Sequence, residues 1–159
     1  MTATVRRATA ADRPAAVALW TALHREHEAL DARYRLAADA AARWSADFGD
    51  WARSATDRIW LADAGGEPVG LLTAHLYVPA PTFAPSEMVY IDDLYVAPGV
   101  RGQGIGTLLL GEARAWGLAT GAREVRAGVL ATNPAGRRFW ARAGAQDFSV
   151  VVTLGLGRP

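Results

Sequence analysis

Two neighbouring aspartates, Asp92 and Asp93, interrupt an otherwise apolar run from Met88 to Val96. A carboxylate taken out of water into such a run is costly unless it is paired or used, so this pair is the best proton acceptor the chain offers. Shortly after it the chain reads Arg101-Gly102-Gln103-Gly104-Ile105-Gly106 and then continues into an amphipathic stretch ending near Thr120. A strand, a glycine-rich loop and a helix start, in that order, bring unpaired backbone N–H groups and the positive end of a helix dipole to one point. Such a point suits a phosphate.

Glycine spacing narrows the kind of phosphate ligand. A P-loop requires a lysine after its last glycine, and the chain contains no lysine. The dinucleotide pattern G-x-G-x-x-G also fails, because counting from Gly102 or from Gly104 puts Thr107 or Leu109 at the third glycine position. The spacing that does fit is R-x-x-G-x-G, from Arg101 to Gly106.

The elements that must hold these residues follow from periodicity and punctuation. Thr4 to Thr9 predicts a first strand, and Asp12 with Pro14 a cap and first-turn proline opening a helix. Val17, Leu19, Trp20, Leu23 and His27 give that helix an apolar stripe. Near its end His24 and His27 lie three apart and Glu28 is four on from His24, a pairwise spacing that a metal could use, but a third ligand with suitable spacing is not evident, and a solvated helix end is the other reading. Arg33 to Leu36 breaks the pattern. Ala37 to Arg53 predicts a second helix whose Trp44, Phe48 and Trp51 fit core packing better than a base-stacking platform. Arg58 to Ala62 and Pro68 to Val78 are strands joined across Gly65-Gly66, and the proline-rich Pro79 to Pro85 is a loop. After the central strand and the glycine loop comes a helix with Leu108, Leu109, Ala113 and Trp116 on one face, stopped by Gly121. Glu124 to Val129 predicts a strand parallel to the central one, if the intervening helix makes the usual right-handed crossover. Asn133 and Pro134 open a short helix, Ala135 to Ala143, that Gly144 ends. Phe148 to Leu156 is the expected last strand.

Composition bounds the class. The 159 residues suffice for one domain with a proper core, 51% are apolar and 21% charged, and the net charge is +1. That balance gives no general attraction to nucleic acid or to an anionic membrane. The absence of cysteine excludes a disulfide, a thiolate metal site and a covalent cysteine intermediate. No apolar run reaches membrane-spanning length and the N-terminus lacks an apolar signal core, so a cytoplasmic location is expected.

The segment LYVAPGVRGQGIGTLLL, set between a strand and a helix, resembles the acetyl-CoA-binding core of the GNAT superfamily of N-acetyltransferases. The order β-α-α-β-β-β-α-β-α-β extends the resemblance to nearly the whole chain. It implies an α/β (α+β) fold in one domain, residues 1–159: a mixed central sheet with helices on both faces, its parallel central pair splayed to hold the cofactor. It implies that acetyl-CoA lies along Leu94, Tyr95 and Val96, with its pyrophosphate on Arg101, Gly102, Gln103, Gly104, Ile105, Gly106 and Thr107. It also places the N–H of Val96 or its neighbour at the thioester oxygen, and Asn133 at a position that often contacts the cofactor. A plain helix cap is the other role of Asn133. Arg137, Arg138 and Arg142 are further positions from which a cation could meet the nucleotide phosphates.

The resemblance implies acetyl transfer to a primary amine by direct attack. The Asp92 position often carries the base, acting directly or through water, while Asp93 holds a cationic substrate or caps a loop. Alternation puts the two on opposite faces of the strand. The competing reading is a pair hydrogen-bonded to backbone beside a strand bulge. Where many members have a general-acid tyrosine this chain has Trp140, whose indole donates a hydrogen bond but not a proton. A non-catalytic acyl-CoA-binding module is therefore the alternative, and a dinucleotide oxidoreductase fits poorly. The expected acceptor is a small polar amine in preference to a peptide N-terminus, walled by His24 to Arg35 and the Pro79 to Pro85 loop. No metal, nucleic acid or membrane partner is expected, and a homodimer is open. Only about 15 residues follow Gly144, room for one long strand or a stunted pair where the family usually has two.

Overall fold

The computed structural model describes residues 2–82, 84 and 87–157. Its elements are β1 (Ala3–Arg7), α1 (Arg13–Leu30), α2 (Ala40–Arg53), β2 (Asp57–Ala64), β3 (Glu67–Tyr77), β4 (Met88–Val96), α3 (Ile105–Thr120), β5 (Glu124–Ala127) and α4 (Pro134–Arg142). They fall into two compact units, one ending at Gly128 and the other beginning at Val129.

In the first unit the sheet order is β1-β2-β3-β4-β5. Neighbours are antiparallel except β4 and β5, which run parallel across the α3 connection. The pairing of β5 covers only Met88 to Ile91 of β4. Beyond Ile91 that edge of β4 has no strand beside it among the described residues.

Alternation along β3 sends successive side chains to opposite layers. Leu71 joins Leu19, Trp20, Leu23, Phe48, Ile59 and Tyr95 in a core under α1 and α2. Its neighbour Gly70 faces α3, where an added Cβ would come within 3.1 Å of Leu109 Cδ1, so the helix lies close to the sheet because that position carries no side chain. Phe48, Leu61, Leu71 and Leu109 are completely buried, each such side chain stabilising the fold by roughly 1.5–3 kcal/mol. The aromatic residues of α2 pack as expected, Trp44 ring to ring with Trp20 at 5.3 Å and with Phe48 at 5.6 Å.

Three details differ from expectation. Asp12 stands at the N-cap of α1 with Pro14 in the first turn, as expected, but its side chain does not cap that helix: it accepts from the Thr9 N–H at 2.7 Å and from Arg6 at 2.8 and 2.9 Å, fastening β1 to the start of α1. The hydrogen bonds from Arg6 hold its carboxyl far below the usual carboxylate range. In α3 the buried positions are Ile105, Leu109, Leu110, Ala113 and Gly117, and Leu108 is exposed, because the helix begins at Ile105 and its inward stripe follows from there.

The third difference lies in the second unit. There Asn133 Oδ1 accepts from the Gly136 N–H at 2.8 Å, capping α4, and Gly144 adopts a left-handed φ of +88° after it. The expected strand from Phe148 to Leu156 does not form, and Val150, Val152, Leu154 and Leu156 are 84–90% exposed. A β-prone sequence becomes a strand only where a neighbour supplies its ladder, and none of the described residues pairs with it in a sheet. No helix among the described residues is long and apolar enough to cross a membrane.

Candidate active site

The glycine loop is shaped by backbone conformation. After a short 3₁₀ turn at Pro98–Val100, Gly102 and Gly104 adopt φ of +80° and +83°, which side chains other than glycine disfavour. The first helical bond of α3 runs from the Leu108 N–H to the Gly104 carbonyl at 3.0 Å. From Gly102 to Thr107 no backbone N–H has an acceptor among the described residues, and open space lies where a Cβ on Gly102 or Gly104 would point. These donors sit at the positive end of the α3 dipole, the arrangement that binds a phosphate. Ile105 takes part only through its backbone, since its side chain is buried in the core.

Just before the loop, Ala97 donates its N–H to Val69 at 2.8 Å. In an antiparallel ladder the hydrogen-bonded positions alternate, so Tyr95 turns to β3 like Ala97, while Leu94 and Val96 turn their N–H groups to the other edge. That is the edge where β5 has already ended. It is a ready line of donors and acceptors for an extended ligand.

Arg101 behaves otherwise than its place in the motif suggests. Its side chain is bound to protein: Nε donates to the Val96 carbonyl at 2.7 Å and Nη2 reaches both carboxylate oxygens of Glu26 at 2.7 and 2.8 Å. The guanidinium also lies over the Tyr95 ring, 5.5 Å from its centre.

The carboxylates are arranged by a bulge. Thr73 of β3 faces Asp93, yet the next residue, Ala74, faces Ile91, so Asp92 is an extra residue without a partner of its own. The bulge defeats the alternation that would have separated the pair, and both carboxylates line one cleft of about 240 Å³ with Trp44, Trp51, Asp57 and His75. Their hydrogen bonds go to side chains. Asp93 is held by Thr73 Oγ1 at 2.6 Å and lies 3.3 Å from His24 Nε2. Asp92 has His75 Nδ1 at 2.8 Å. The Asp93 side chain is 9% exposed and doubly partnered, whereas that of Asp92 is 44% exposed, so Asp92 is the one free to exchange a proton with a ligand. Removal of its surroundings from water raises the Asp92 pKa above the usual carboxylate range, against the lowering effect of the His75 hydrogen bond, and the neighbouring Asp93 adds to the rise.

His24 is thus turned onto Asp93 and does not mark a solvated helix end. His27 next to it is partly buried, which lowers its pKa. Among the described residues no group of three or more histidines and carboxylates could hold a metal ion. Among the described residues the expected acceptor walls, 24–35 and 79–85, contribute none to the lining of the cleft; Phe83 and Pro85 lie outside the described residues. Sequence reasoning missed His75, Thr73 and Glu26. Thr73 and His75 carried a signal, as polar side chains in the apolar run Leu71 to Tyr77. Asn133 and Trp140 belong to the second unit, where Asn133 caps α4 and Trp140 packs edge-on to Phe139 at 5.3 Å.

A mixed sheet with one parallel strand pair, followed by a glycine loop at a helix start, defines the class of fold, and comparison with known proteins names it. Residues 10–145 match the Acetyltransferase (GNAT) family, and the chain belongs to that family of acyltransferases. It is similar to the thialysine N-epsilon-acetyltransferase of Bos taurus, 31% identical over 91 residues, which make up 56% of this chain and 54% of that protein. The match therefore spans about half the length of the curated relative. Among solved structures, a tetramutant of the BH1408 protein from Bacillus halodurans superposes with a TM-score of 0.85 at 23% identity, over 96% of this chain and 99% of that one. The aminoglycoside N-acetyltransferase AAC(6')-Iy, in complex with CoA, has a TM-score of 0.79 at 18% identity over 97% and 94%. A predicted acetyltransferase with acetyl-CoA from Clostridium acetobutylicum has 0.74 at 18% identity over 98% and 97%. These likenesses establish the fold.

Proposed function

We propose that the protein transfers the acetyl group of acetyl-CoA to a small primary amine by direct attack in a ternary complex. The observation that carries this reading is the open edge of β4, which runs from the carboxylate cleft to the N–H cradle. The N–H groups from Gly102 to Thr107 hold the pyrophosphate, and Leu94 and Val96 face the acyl arm, with one N–H of this edge aimed at the developing oxyanion. An alkyl amine is almost wholly protonated at neutral pH and must lose a proton before it attacks. Asp92 accepts that proton, directly or through water, and its raised pKa makes it a stronger base than an ordinary carboxylate. Asp93, buried and fixed, supplies negative charge that favours a cationic acceptor.

The cleft is smaller than the range usual for drug-sized ligands, which favours a small polar amine over a peptide N-terminus. The relatives named above, one for thialysine and one for aminoglycosides, support an amine acceptor. By sequence resemblance alone, Asn133 contacts the cofactor and the Trp140 indole N–H stabilises the departing sulfur. A thiolate leaves at modest cost, so a hydrogen bond without a general acid suffices. The family match spans both units, which supports reading them as one functional domain.

The test is release of free CoA when the protein is mixed with acetyl-CoA and, separately, thialysine, an aminoglycoside and a panel of small amines. Turnover with at least one is the expected result. Binding of acetyl-CoA without turnover of any amine would mark the chain as a binding module.

A further inference from the structure

The arginine of the glycine motif is occupied before any ligand arrives, and what occupies it ties three elements together. Glu26 of α1 receives Arg101 Nη2 on both of its oxygens and the Tyr95 hydroxyl at 3.2 Å on Oε1. Arg101 in turn anchors the Val96 carbonyl through Nε, while the N–H of the same peptide unit, that of Ala97, is held by Val69. The peptide that joins β4 to the glycine loop is therefore gripped from both sides. Its orientation decides where the following N–H groups point. With Nε on the Val96 carbonyl, Nη2 on Glu26 and one face over Tyr95, the guanidinium is committed to protein along most of its fork.

We propose that Glu26 is a positioning residue for the cofactor cradle: through Arg101 it fixes the end of β4 and the entrance of the glycine loop, and the Arg101 side chain serves this brace and is not a phosphate ligand. The inference rests on the functional reading above, since it presumes acetyl-CoA in the cradle. It goes beyond that reading by assigning a role to a residue of α1 that no motif marks, and by moving Arg101 from ligand to scaffold. The two accounts of Arg101 make opposite statements about Glu26. If the guanidinium braces the loop, losing Glu26 loosens the cradle and weakens the cofactor. If the guanidinium is a phosphate ligand restrained by Glu26, losing Glu26 frees a cation and strengthens it.

Direct binding of acetyl-CoA to the full chain, measured by titration calorimetry, separates them without reference to turnover. Glu26→Gln is expected to bind acetyl-CoA about fivefold more weakly, the factor that a partly exposed but geometrically fixed ion pair is worth. Arg101→Lys keeps the charge but loses the fork, and is expected to match Glu26→Gln. The double variant is expected to be no weaker than either single one, because all three changes remove one brace. The melting temperatures of the free proteins are recorded alongside, and the amine KM, where turnover is measured, is expected to stay within about twofold of wild type. Tighter binding in Glu26→Gln, wild-type binding in Arg101→Lys, or additive losses in the double variant would each overturn the proposal. A wild type that binds no acetyl-CoA would overturn the functional reading and the proposal with it.

Discussion

The glycine cradle and the carboxylate cleft share one continuous segment, β4 and the loop that follows it, yet they are made of different material. The cradle consists of backbone: donors from Gly102 to Thr107, set by positive φ at two glycines and by the start of α3. The cleft consists of side chains drawn from α2, β2, β3 and β4, set by one bulged residue. A backbone site is tolerant of its surroundings, because N–H groups cannot change identity, and it is fragile only at the residues that allow its conformation. A side-chain site can be rebuilt at any of its contributing positions. On the proposed function, the shared part of the chemistry, gripping a phosphate, thus falls to the cradle, and the part that must vary with the acceptor falls to the cleft.

This division can be broken by variants that ought to affect one region alone. The largest expected effect is that of Asp92→Asn, which removes the proposed base and should lower kcat by about a hundredfold or more at neutral pH. Raising the pH should restore part of the rate, because more amine is then already neutral, and the binding of acetyl-CoA should be unaltered. Wild-type kcat in this variant would show that the proton leaves by another path. Next in size is Gly104→Val. A hundredfold excess of acetyl-CoA over its dissociation constant stabilises the wild type by about 2.7 kcal/mol, and this variant should lose that response. Because Gly104 has φ of +83°, the free variant should also be less stable by about 1–2 kcal/mol. Thermal melts with and without acetyl-CoA measure both, and an undiminished ligand response would place the phosphate elsewhere.

The same contrast explains which parts could be read from the amino acids. The cradle was legible because its chemistry follows from residue type and local order: glycines after an apolar strand and before a helix have one efficient use. The sequence of elements as far as α4 and the aromatic packing of α2 were likewise legible from periodicity and punctuation, and the parallel pair from the crossover rule. The cleft was not, because alternation counts residues and a bulge breaks the count. With Asp92 unpaired, both carboxylates reach the face that carries Thr73 and His75, and His24 arrives from α1 by tertiary packing alone. The occupation of Arg101 by Glu26 is a contact between residues far apart in sequence, which no local pattern encodes. The segment from Phe148 to Leu156 failed for a related reason, since β-propensity describes a willingness to pair and not the presence of a partner.

Within the cleft a smaller effect separates the two aspartates. Thr73→Val keeps shape but removes the 2.6 Å hydrogen bond to the buried Asp93 carboxylate, and leaving that group short of a donor should cost about 1–3 kcal/mol of stability. If Asp93 supplies only charge toward the acceptor, the amine KM should rise by up to about tenfold with kcat little changed. Denaturant unfolding and steady-state kinetics on one preparation test both halves. A fall in kcat comparable to that of Asp92→Asn would mean that the two carboxylates act as one acid–base unit.

The smallest effect is a gain. Because the Asp92 pKa is raised in the folded protein, the folded state holds that proton more tightly than the unfolded chain does. The stability linked to this group is fully present below the ordinary carboxylate pKa of about 4, and is lost as pH rises through the raised value. The ionised form of Asp92 is therefore a net cost to the fold, kept in place by the bulge and by His75. Asp92→Asn, the variant expected to lose most activity, should accordingly melt at a slightly higher temperature than wild type near pH 7. The difference should shrink as the pH is lowered and vanish below about pH 4, where the wild-type carboxyl is protonated in both states. Gly104→Val should show no such convergence, because its cost lies in backbone conformation and does not titrate. A melting difference for Asp92→Asn that is negative at neutral pH, or independent of pH, would mean that the His75 hydrogen bond outweighs the removal of the carboxylate from water. Asp92 would then belong with Asp93 as a structural charge.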